Sequence, residues 1–180
     1  YRFSISWPRI FPGGRGKPNT KGVDFYRRLL EALRESNIIP FATLYHWDLP
    51  QCLEEKGGWL NRDTTGWFAD YAFYCFETFG RDVFLWATIN EPNMVTAGYT
   101  GEKIAPGRGE PSTKYRVNHH LMLAHGRAVK ALRESTALNA KIGLILTLCP
   151  AEAADDHPRT ISKVNERNFL MLHEFLYPVI

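Results

Sequence analysis

The stretch Val83-Phe84-Leu85-Trp86-Ala87-Thr88-Ile89-Asn90-Glu91-Pro92 decides how this chain is interpreted, because an apolar, β-prone run ends in an amide and a carboxylate. Glutamate forms strands poorly and is rarely buried unless it is paired. Proline has no N–H group to donate to a β-ladder, so Pro92 is predicted to end the strand. A carboxylate at the carboxyl end of a buried strand is well placed to act as a general acid/base. The alternative is a solvated loop glutamate, which the same local sequence would also give.

Three further apolar runs and four helical patterns surround this stretch. The β-prone runs are residues 2–7, 38–45, 83–90 and 141–148, and the helical patterns are residues 21–35, 63–80, 113–135 and 162–176. Strand–helix alternation at this spacing predicts βα units on a parallel sheet, and hence an α/β fold. An eight-stranded barrel typically needs about 250 residues. The 180 residues of this chain therefore predict a partial (β/α)8 TIM barrel of about four βα units.

The candidate functional residues all lie where the predicted strands end. They are Trp7, His46, Trp47, Asn90 and Glu91. Right-handed crossovers between parallel strands place every strand exit on one face of the sheet, and this clustering favours a functional role for Glu91. For His46, a structural, hydrogen-bonding histidine is the alternative. The glycine- and proline-rich segment between Asn90 and Thr113 is predicted to be a long loop, of the kind that is usually functional or disordered.

The composition argues against several classes of partner. Hydrophobic residues make up 44% and charged residues 23% of the chain, which is ordinary for a globular domain. The net charge of +3 and the absence of a lysine/arginine run argue against a nucleic-acid partner. No stretch approaches the roughly 20 apolar residues of a membrane span, so no membrane partner is predicted.

Cysteine usage and the start of the chain bear on its location. The three cysteines Cys52, Cys75 and Cys149 are odd in number and widely spaced, which argues against a disulfide framework or a zinc site. Reduced thiols and a cytoplasmic location are predicted. The start, Tyr1-Arg2-Phe3-Ser4, has neither a methionine nor a signal-peptide pattern. The chain is therefore expected to be part of a larger protein.

Two segments resemble a phosphate-binding loop and a metal site only superficially. Gly13-Gly14-Arg15-Gly16-Lys17-Pro18 has proline where a phosphate-binding loop needs serine or threonine. His120 and His125 are five residues apart, and not the four that place two ligands on one helix face. Neither a metal nor an organic cofactor is predicted.

Several ordered motifs carry a family resemblance. They are Arg2-Phe3-Ser4-Ile5-Ser6-Trp7-Pro8-Arg9-Ile10, Thr43-Leu44-Tyr45-His46-Trp47-Asp48-Leu49-Pro50, Gly57-Gly58-Trp59-Leu60-Asn61, Thr88-Ile89-Asn90-Glu91-Pro92 and Ala105-Pro106-Gly107-Arg108, followed by Ile142-Gly143. Together they resemble strands two to five of glycoside hydrolase family 1, the β-glucosidase family. The resemblance covers almost the whole chain. It implies that residues 1–180 are part of a single glycoside hydrolase catalytic barrel that is truncated at both ends.

The resemblance implies a retaining β-glucosidase that hydrolyses terminal β-linked glucosides, with a β-glucoside or a short β-linked oligosaccharide as substrate. Glu91 would be the catalytic acid/base, and Asn90 would bind the 2-hydroxyl of the sugar. His46 and Trp47 would contact the glycone, and Arg2 would orient the nucleophilic glutamate. No metal or organic cofactor is implied. The oligomeric state is not predicted.

One departure from the family pattern limits what the chain does alone. The family nucleophile lies in a Thr-Glu-Asn-Gly segment, and no glutamate here precedes Asn-Gly. The isolated chain is therefore expected to be inactive. Two alternatives stay open, a 6-phospho-β-glycosidase and a non-catalytic sugar-binding relative. The sequence His46-Trp47-Asp48-Leu49-Pro50 resembles the non-phosphorylated branch more closely, and the presence of Glu91 argues against loss of the acid/base.

Overall fold

The sheet in this computed structural model, which describes residues 1–137 and 139–175, consists of four parallel strands in sequence order. The strands are β1 (Arg2–Ser4), β2 (Phe41–Tyr45), β3 (Leu85–Asn90) and β4 (Lys141–Ile145). Each neighbouring pair is parallel, with Ser4 opposite Thr43 and Thr43 opposite Ala87. All four carboxyl ends therefore meet at one edge of the sheet, which confirms the predicted α/β arrangement.

Seven α-helices connect and cover the strands in the described part of the chain. They are α1 (Trp7–Ile10), α2 (Thr20–Glu35), α3 (Gln51–Glu54), α4 (Thr64–Phe79), α5 (Pro92–Thr100), α6 (Lys114–Glu134) and α7 (Pro158–Phe175), with 3-10 turns at Gly58–Leu60 and Pro111–Thr113. The four long helices, α2, α4, α6 and α7, confirm the four predicted helical patterns. Leu176, the predicted end of the last one, lies outside the described residues. None of the described helices has the length and apolar character that a membrane span requires.

The prediction that the first strand runs to Trp7 was wrong. The strand ends at Ser4, and Trp7 begins α1, because Pro8 has a fixed φ and no N–H and so suits the first turn of a helix. The indole of Trp7 is completely buried and stacks on Tyr71, with ring centroids 5.1 Å apart. Its Nε1 donates to the carbonyl of Gly14 at 3.0 Å. Trp7 therefore belongs to the core and not to the face where the strands end.

The segment after Glu91 also differs from the predicted loop, because Pro92–Thr100 forms α5. Pro92 occupies the first helical turn, where its missing N–H costs nothing. Gly98 allows the following loop to return against the helix. A Cβ at that position would lie 2.1 Å from the carbonyl oxygen of Ala105. The glycines that suggested a loop thus serve close packing.

An aromatic layer between the sheet and α4 holds the strands in place. Trp86 of β3 meets Phe76 of α4 edge-on at 5.0 Å, and both side chains are buried. The hydroxyl of Tyr71 lies 2.8 Å from the carbonyl of Ile5 and 3.0 Å from that of Leu44. Each buried aromatic ring contributes about 1.5–3 kcal/mol. This layer therefore fixes β1 and β2 relative to each other just below their carboxyl ends.

Candidate active site

The carboxyl edge of the sheet brings together four of the five candidates, and Arg2 with them. The Arg2 guanidinium donates through Nη2 to Oδ1 of Asn90 and through Nε to the Thr43 hydroxyl at 3.1 Å. Nδ2 of Asn90 lies 3.2 Å from Nε2 of His46. On its other side, Nδ1 of His46 lies 3.1 Å from the hydroxyl oxygen of Ser4. Side chains from β1, β3 and the segment after β2 thus form one polar cluster.

Trp47 joins this cluster through an unusual backbone conformation. Its φ of 78° lies in the left-handed region, which costs a non-glycine residue about 1–3 kcal/mol. The turn directs the indole Nε1 to the carbonyl oxygen of Asn90 at 2.9 Å. The ring stays 37% exposed and lies edge-on to His46 at 5.3 Å. Trp47 therefore forms an open wall of the cluster, unlike the buried Trp7.

A register irregularity in β3 determines where Asn90 points. Simple alternation would put Asn90 on the face of Trp86 and Thr88, which contact α4 and α6. The pairing of β3 with β4, however, shifts between Ala87 and Asn90. Such a bulge re-aims the side chain that follows it. Asn90 consequently reaches Arg2 and His46 instead of the helices.

Glu91 combines a strained backbone with a free carboxylate. Its φ is 46°, and its N–H donates to the carbonyl of Ile145 at 2.8 Å. Its own carbonyl accepts the N–H groups of Met94 and Val95 at the start of α5. Within residues 1–137 and 139–175, the half-buried carboxylate has neither a hydrogen bond nor an ion pair. The backbone of Glu91 is thus fixed on both sides, while its carboxylate oxygens accept no hydrogen bond from the described residues.

The chain belongs to glycosyl hydrolase family 1, whose sequence profile matches residues 1–180. Beta-glucosidase A of Acetivibrio thermocellus is 46% identical over all of this chain and 40% of its own length. Klotho of Homo sapiens is 52% identical over 71% of this chain and 13% of its own length. The beta-glucosidase of Thermotoga maritima in complex with deoxynojirimycin superimposes with a TM-score of 0.90 at 44% identity. That comparison covers 97% of this chain and 38% of the other.

Membership confirms the predicted family and the partial (β/α)8 barrel. This glycosyl hydrolase family 1 chain spans about 40% of the length of the two bacterial beta-glucosidases A that it matches. The parallel sheet and its strand-exit cluster are therefore one part of the architecture of those relatives.

Asp48, which directly follows Trp47, was not predicted as a site residue. Burial raises the pKa of this carboxyl, while the Ser6 hydroxyl and the backbone N–H groups of Asp48 and His46 oppose the shift. Its Oδ1 is buried without a hydrogen-bond partner in the described residues. The only signal in the sequence was its position directly after His46 and Trp47. In this family-1 chain, the Asp48 carboxyl therefore lies against the backbone of His46, whose side chain belongs to the polar cluster.

A second group of polar side chains lies on the same side of the molecule, and its members are hydrogen-bonded to one another. We name Glu54, Tyr99 and Arg108 the Glu54 clamp. The Tyr99 hydroxyl donates to Oε2 of Glu54 at 2.6 Å, and Nε of Arg108 donates to Oε1 at 2.9 Å. The guanidinium also lies over the Tyr99 ring, 5.2 Å from its centroid. The clamp joins α3, the end of α5 and the loop that follows α5.

Gly58 makes room for the Glu54 clamp. Its φ of 55° is left-handed, and a Cβ there would lie 2.0 Å from Oε2 of Glu54 and 2.2 Å from the Tyr99 hydroxyl oxygen. The adjacent N–H of Trp59 donates to the Tyr99 hydroxyl at 2.9 Å. Gly58 and Arg108 both lie against Glu54, although they are far apart in the chain.

Two cavities lie near Trp47 and Glu91. A cavity of about 130 Å³ lies between Trp47, Met94, Tyr99 and Ile104. A second, of about 340 Å³, lies beyond Glu91, where Asn93 and Met94 face the segment after β4 and α7. In the part of the chain that the structure describes, no group of three histidine, cysteine, aspartate or glutamate side chains is arranged to hold a metal ion.

Proposed function

We propose that this chain is part of a single catalytic barrel of a retaining β-glucosidase, which hydrolyses terminal β-linked glucosides or short β-linked oligosaccharides. The observation that carries the proposal is the geometry of Glu91. It is a carboxylate at a strand exit with a left-handed backbone and no partner in the described residues, directly beside Asn90. The names of the bacterial relatives, beta-glucosidase A in two species, support the same reaction.

Glu91 would act as the general acid/base. In a retaining mechanism it first protonates the leaving oxygen and then deprotonates the water that releases the sugar. The nucleophilic carboxylate is expected about 5–5.5 Å away, on a part of the protein that these 180 residues do not contain. The unpartnered side chain of Glu91 suits this role, because an acid/base must change its protonation state twice in each turnover.

The cluster around Asn90 would hold the glycone. Asn90 would bind the sugar 2-hydroxyl, and His46 and Trp47 would contact the other hydroxyls and the apolar ring face. The half-exposed indole of Trp47 supports this role, since flat sugar faces pack on aromatic rings. Arg2 would orient the nucleophile, because its guanidinium lies beside Asn90 at the same edge of the sheet. The network around His46 is compatible with both a structural and a binding role.

The experiment is to assay the complete protein that contains these residues with an aryl β-glucoside and with its 6-phosphate. We expect turnover of the unphosphorylated glucoside, and we expect proton NMR to show the β-anomer of glucose as the first product. Turnover of the 6-phosphate alone would replace the proposal by the 6-phospho-β-glycosidase alternative. A folded protein that binds glucosides without hydrolysing them would support the non-catalytic relative.

A further inference from the structure

The irregular pairing of β3 is confined to the side of the strand that faces β4. On the β2 side the pairing stays regular from Ala87 to Ile89. On the β4 side Ala87 pairs with Gly143, and the next pair is Asn90 with Ile145. Two residues of β3 therefore lie opposite one residue of β4. A bulge of this kind disrupts the ladder locally and redirects the side chains that follow it.

The hydroxyl of Thr88 lies inside this bulge and bridges the two strands. The side chain is completely buried, and its Oγ1 lies 3.2 Å from the carbonyl oxygen of Gly143. A carbonyl can only accept a hydrogen bond, so the hydroxyl donates to it. Gly143 is the last residue of β4 before the register shifts. The Thr88 hydroxyl thus ties the irregular part of β3 to the regular part of β4.

His125 of α6 contacts the same hydroxyl from the helix side. Its Nδ1 lies 2.8 Å from Oγ1 of Thr88. Because the hydroxyl proton is directed to Gly143, both hydrogen bonds form together when the Thr88 oxygen accepts the N–H of Nδ1. Leu121 and Ala128, which share a helix face with His125, are completely buried. The packing of α6 therefore holds the imidazole against the bulge.

The bulge determines the direction of Asn90. Thr88 and Asn90 are two residues apart, and in a regular strand they would point to the same face. In this structure Thr88 faces α6, whereas the Asn90 amide reaches the polar cluster at the strand exits. The carbonyl of Asn90 accepts the indole N–H of Trp47 in the same region. Both the side chain and the backbone of Asn90 thus depend on where the extra residue is accommodated.

We propose that Thr88 and His125 are positioning residues, which hold the β3 bulge between them and thereby direct Asn90 into the polar cluster. The effect on the direction of Asn90 stands on the strand pairing and the hydrogen bonds alone. The effect on glucoside hydrolysis rests on the proposed function. The two effects are measured separately.

NMR of the complete protein with ¹⁵N-labelled tryptophan reports the direction of Asn90 without an assay of activity. The indole N–H of Trp47 donates to the Asn90 carbonyl at 2.9 Å, and a Trp47→Phe variant identifies its signal. Thr88→Val replaces the hydroxyl by a methyl group. The indole signal should then move to a lower proton chemical shift, because this hydrogen bond weakens. Thr88→Ser keeps the hydroxyl and should keep the signal. An unchanged signal in Thr88→Val would overturn the proposal.

Two further variants separate this effect from a general loss of stability. His125→Phe breaks the contact from the helix side and should move the Trp47 signal in the same direction, even if Thr88→Val does not fold. Thr65→Val is the matched control, because the buried Thr65 hydroxyl also donates to a backbone carbonyl and accepts from α6, through Arg127. It should leave the signal unchanged. An unchanged signal in His125→Phe, or an equal shift in Thr65→Val, would overturn the proposal.

Kinetics of the complete protein with an aryl β-glucoside test the consequence for the site. Thr88→Val should lower kcat/KM about tenfold, as expected for the loss of ordinary hydrogen bonds, and Thr88→Ser should restore it. In an Asn90→Ala background the same substitution should cost less than about twofold, because the side chain that the pair directs is gone. Equal losses in both backgrounds would overturn the proposal. If no glucoside is hydrolysed, the proposed function fails and the Trp47 signal alone decides this inference.

Discussion

Two glutamates on the same side of the molecule have opposite surroundings. The carboxylate of Glu54 is bound by Tyr99 and Arg108, and its side chain is only 18% exposed. The carboxylate of Glu91 has no partner in the described residues, and its backbone lies in the left-handed region. The contrast separates a carboxylate that joins three parts of the structure from one whose oxygens have no hydrogen-bond donor in the described residues.

The helix α5 links Glu91 to Tyr99, the hydrogen-bond partner of Glu54. Glu91 directly precedes α5, and Tyr99 lies near its other end. At about 1.5 Å per residue, the nine residues of this helix span roughly 13 Å. The Glu54 clamp therefore fixes the far end of the helix whose near end positions Glu91. Substitutions at Glu91 and in the Glu54 clamp therefore test whether one glutamate serves activity and the other stability.

The largest expected effect is on activity, in Glu91→Gln. In the complete protein, kcat for an alkyl β-glucoside should fall by about 10²–10⁴-fold, the usual contribution of a general acid/base. The free energy of unfolding should change by less than about 0.5 kcal/mol, because the Glu91 carboxylate has no hydrogen bond or ion pair in the described residues. Steady-state kinetics and denaturant unfolding of the same sample measure both quantities.

Glu54→Gln is the matched control for that variant. It should retain most of the activity and lose about 2 kcal/mol of stability, less than the ~3–5 kcal/mol of a fully buried pair because Glu54 and Arg108 are partly exposed. A destabilised Glu91→Gln, or a Glu54→Gln that loses activity but no stability, would remove the distinction between the two glutamates.

Gly58→Ala breaks the clamp without changing a charge, and its expected effect is smaller than that of Glu91→Gln and similar to that of Glu54→Gln. The left-handed φ and the 2.0 Å approach to Oε2 of Glu54 should together cost about 2 kcal/mol of stability. Gly126→Ala in α6 is the control, since nothing lies within 4 Å of its Cβ position. It should be neutral or stabilise the helix by up to about 1 kcal/mol. Equal melting temperatures for the two variants would show that the clamp contributes little.

The smallest expected effect is a pH dependence that comes from Asp48. Burial raises the pKa of this carboxyl in the folded state, so the folded chain holds the proton at pH values where the unfolded chain has released it. Its contribution to stability is therefore lost as the pH rises from about 4, the unfolded value. Asp48→Asn should flatten this part of the curve of unfolding free energy against pH. An identical slope in both proteins would contradict the raised pKa.

The sequence predicted the features that depend on local pattern. Hydrophobic periodicity predicted the strands and long helices, and chain connectivity placed His46, Trp47, Asn90 and Glu91 at one edge. The burial of Trp7 was not predicted, because it depends on packing against Tyr71 in a distant helix. The contacts of Ser4 and Asp48 were missed for the same reason. Their partners come from the fold, and nothing in the neighbouring residues indicates them.

The irregular pairing between Ala87 and Asn90 gives β3 two functions along its length. Its first half packs in the buried aromatic layer against α4, and its last residue belongs to the polar cluster at the strand exits. In a mutational scan, the first half of β3 should therefore tolerate exchange between apolar residues. Asn90 should tolerate no exchange. Deleting a single residue between these positions would turn Asn90 towards the helices. The length of β3 therefore matters for the site, and not only the identity of its residues.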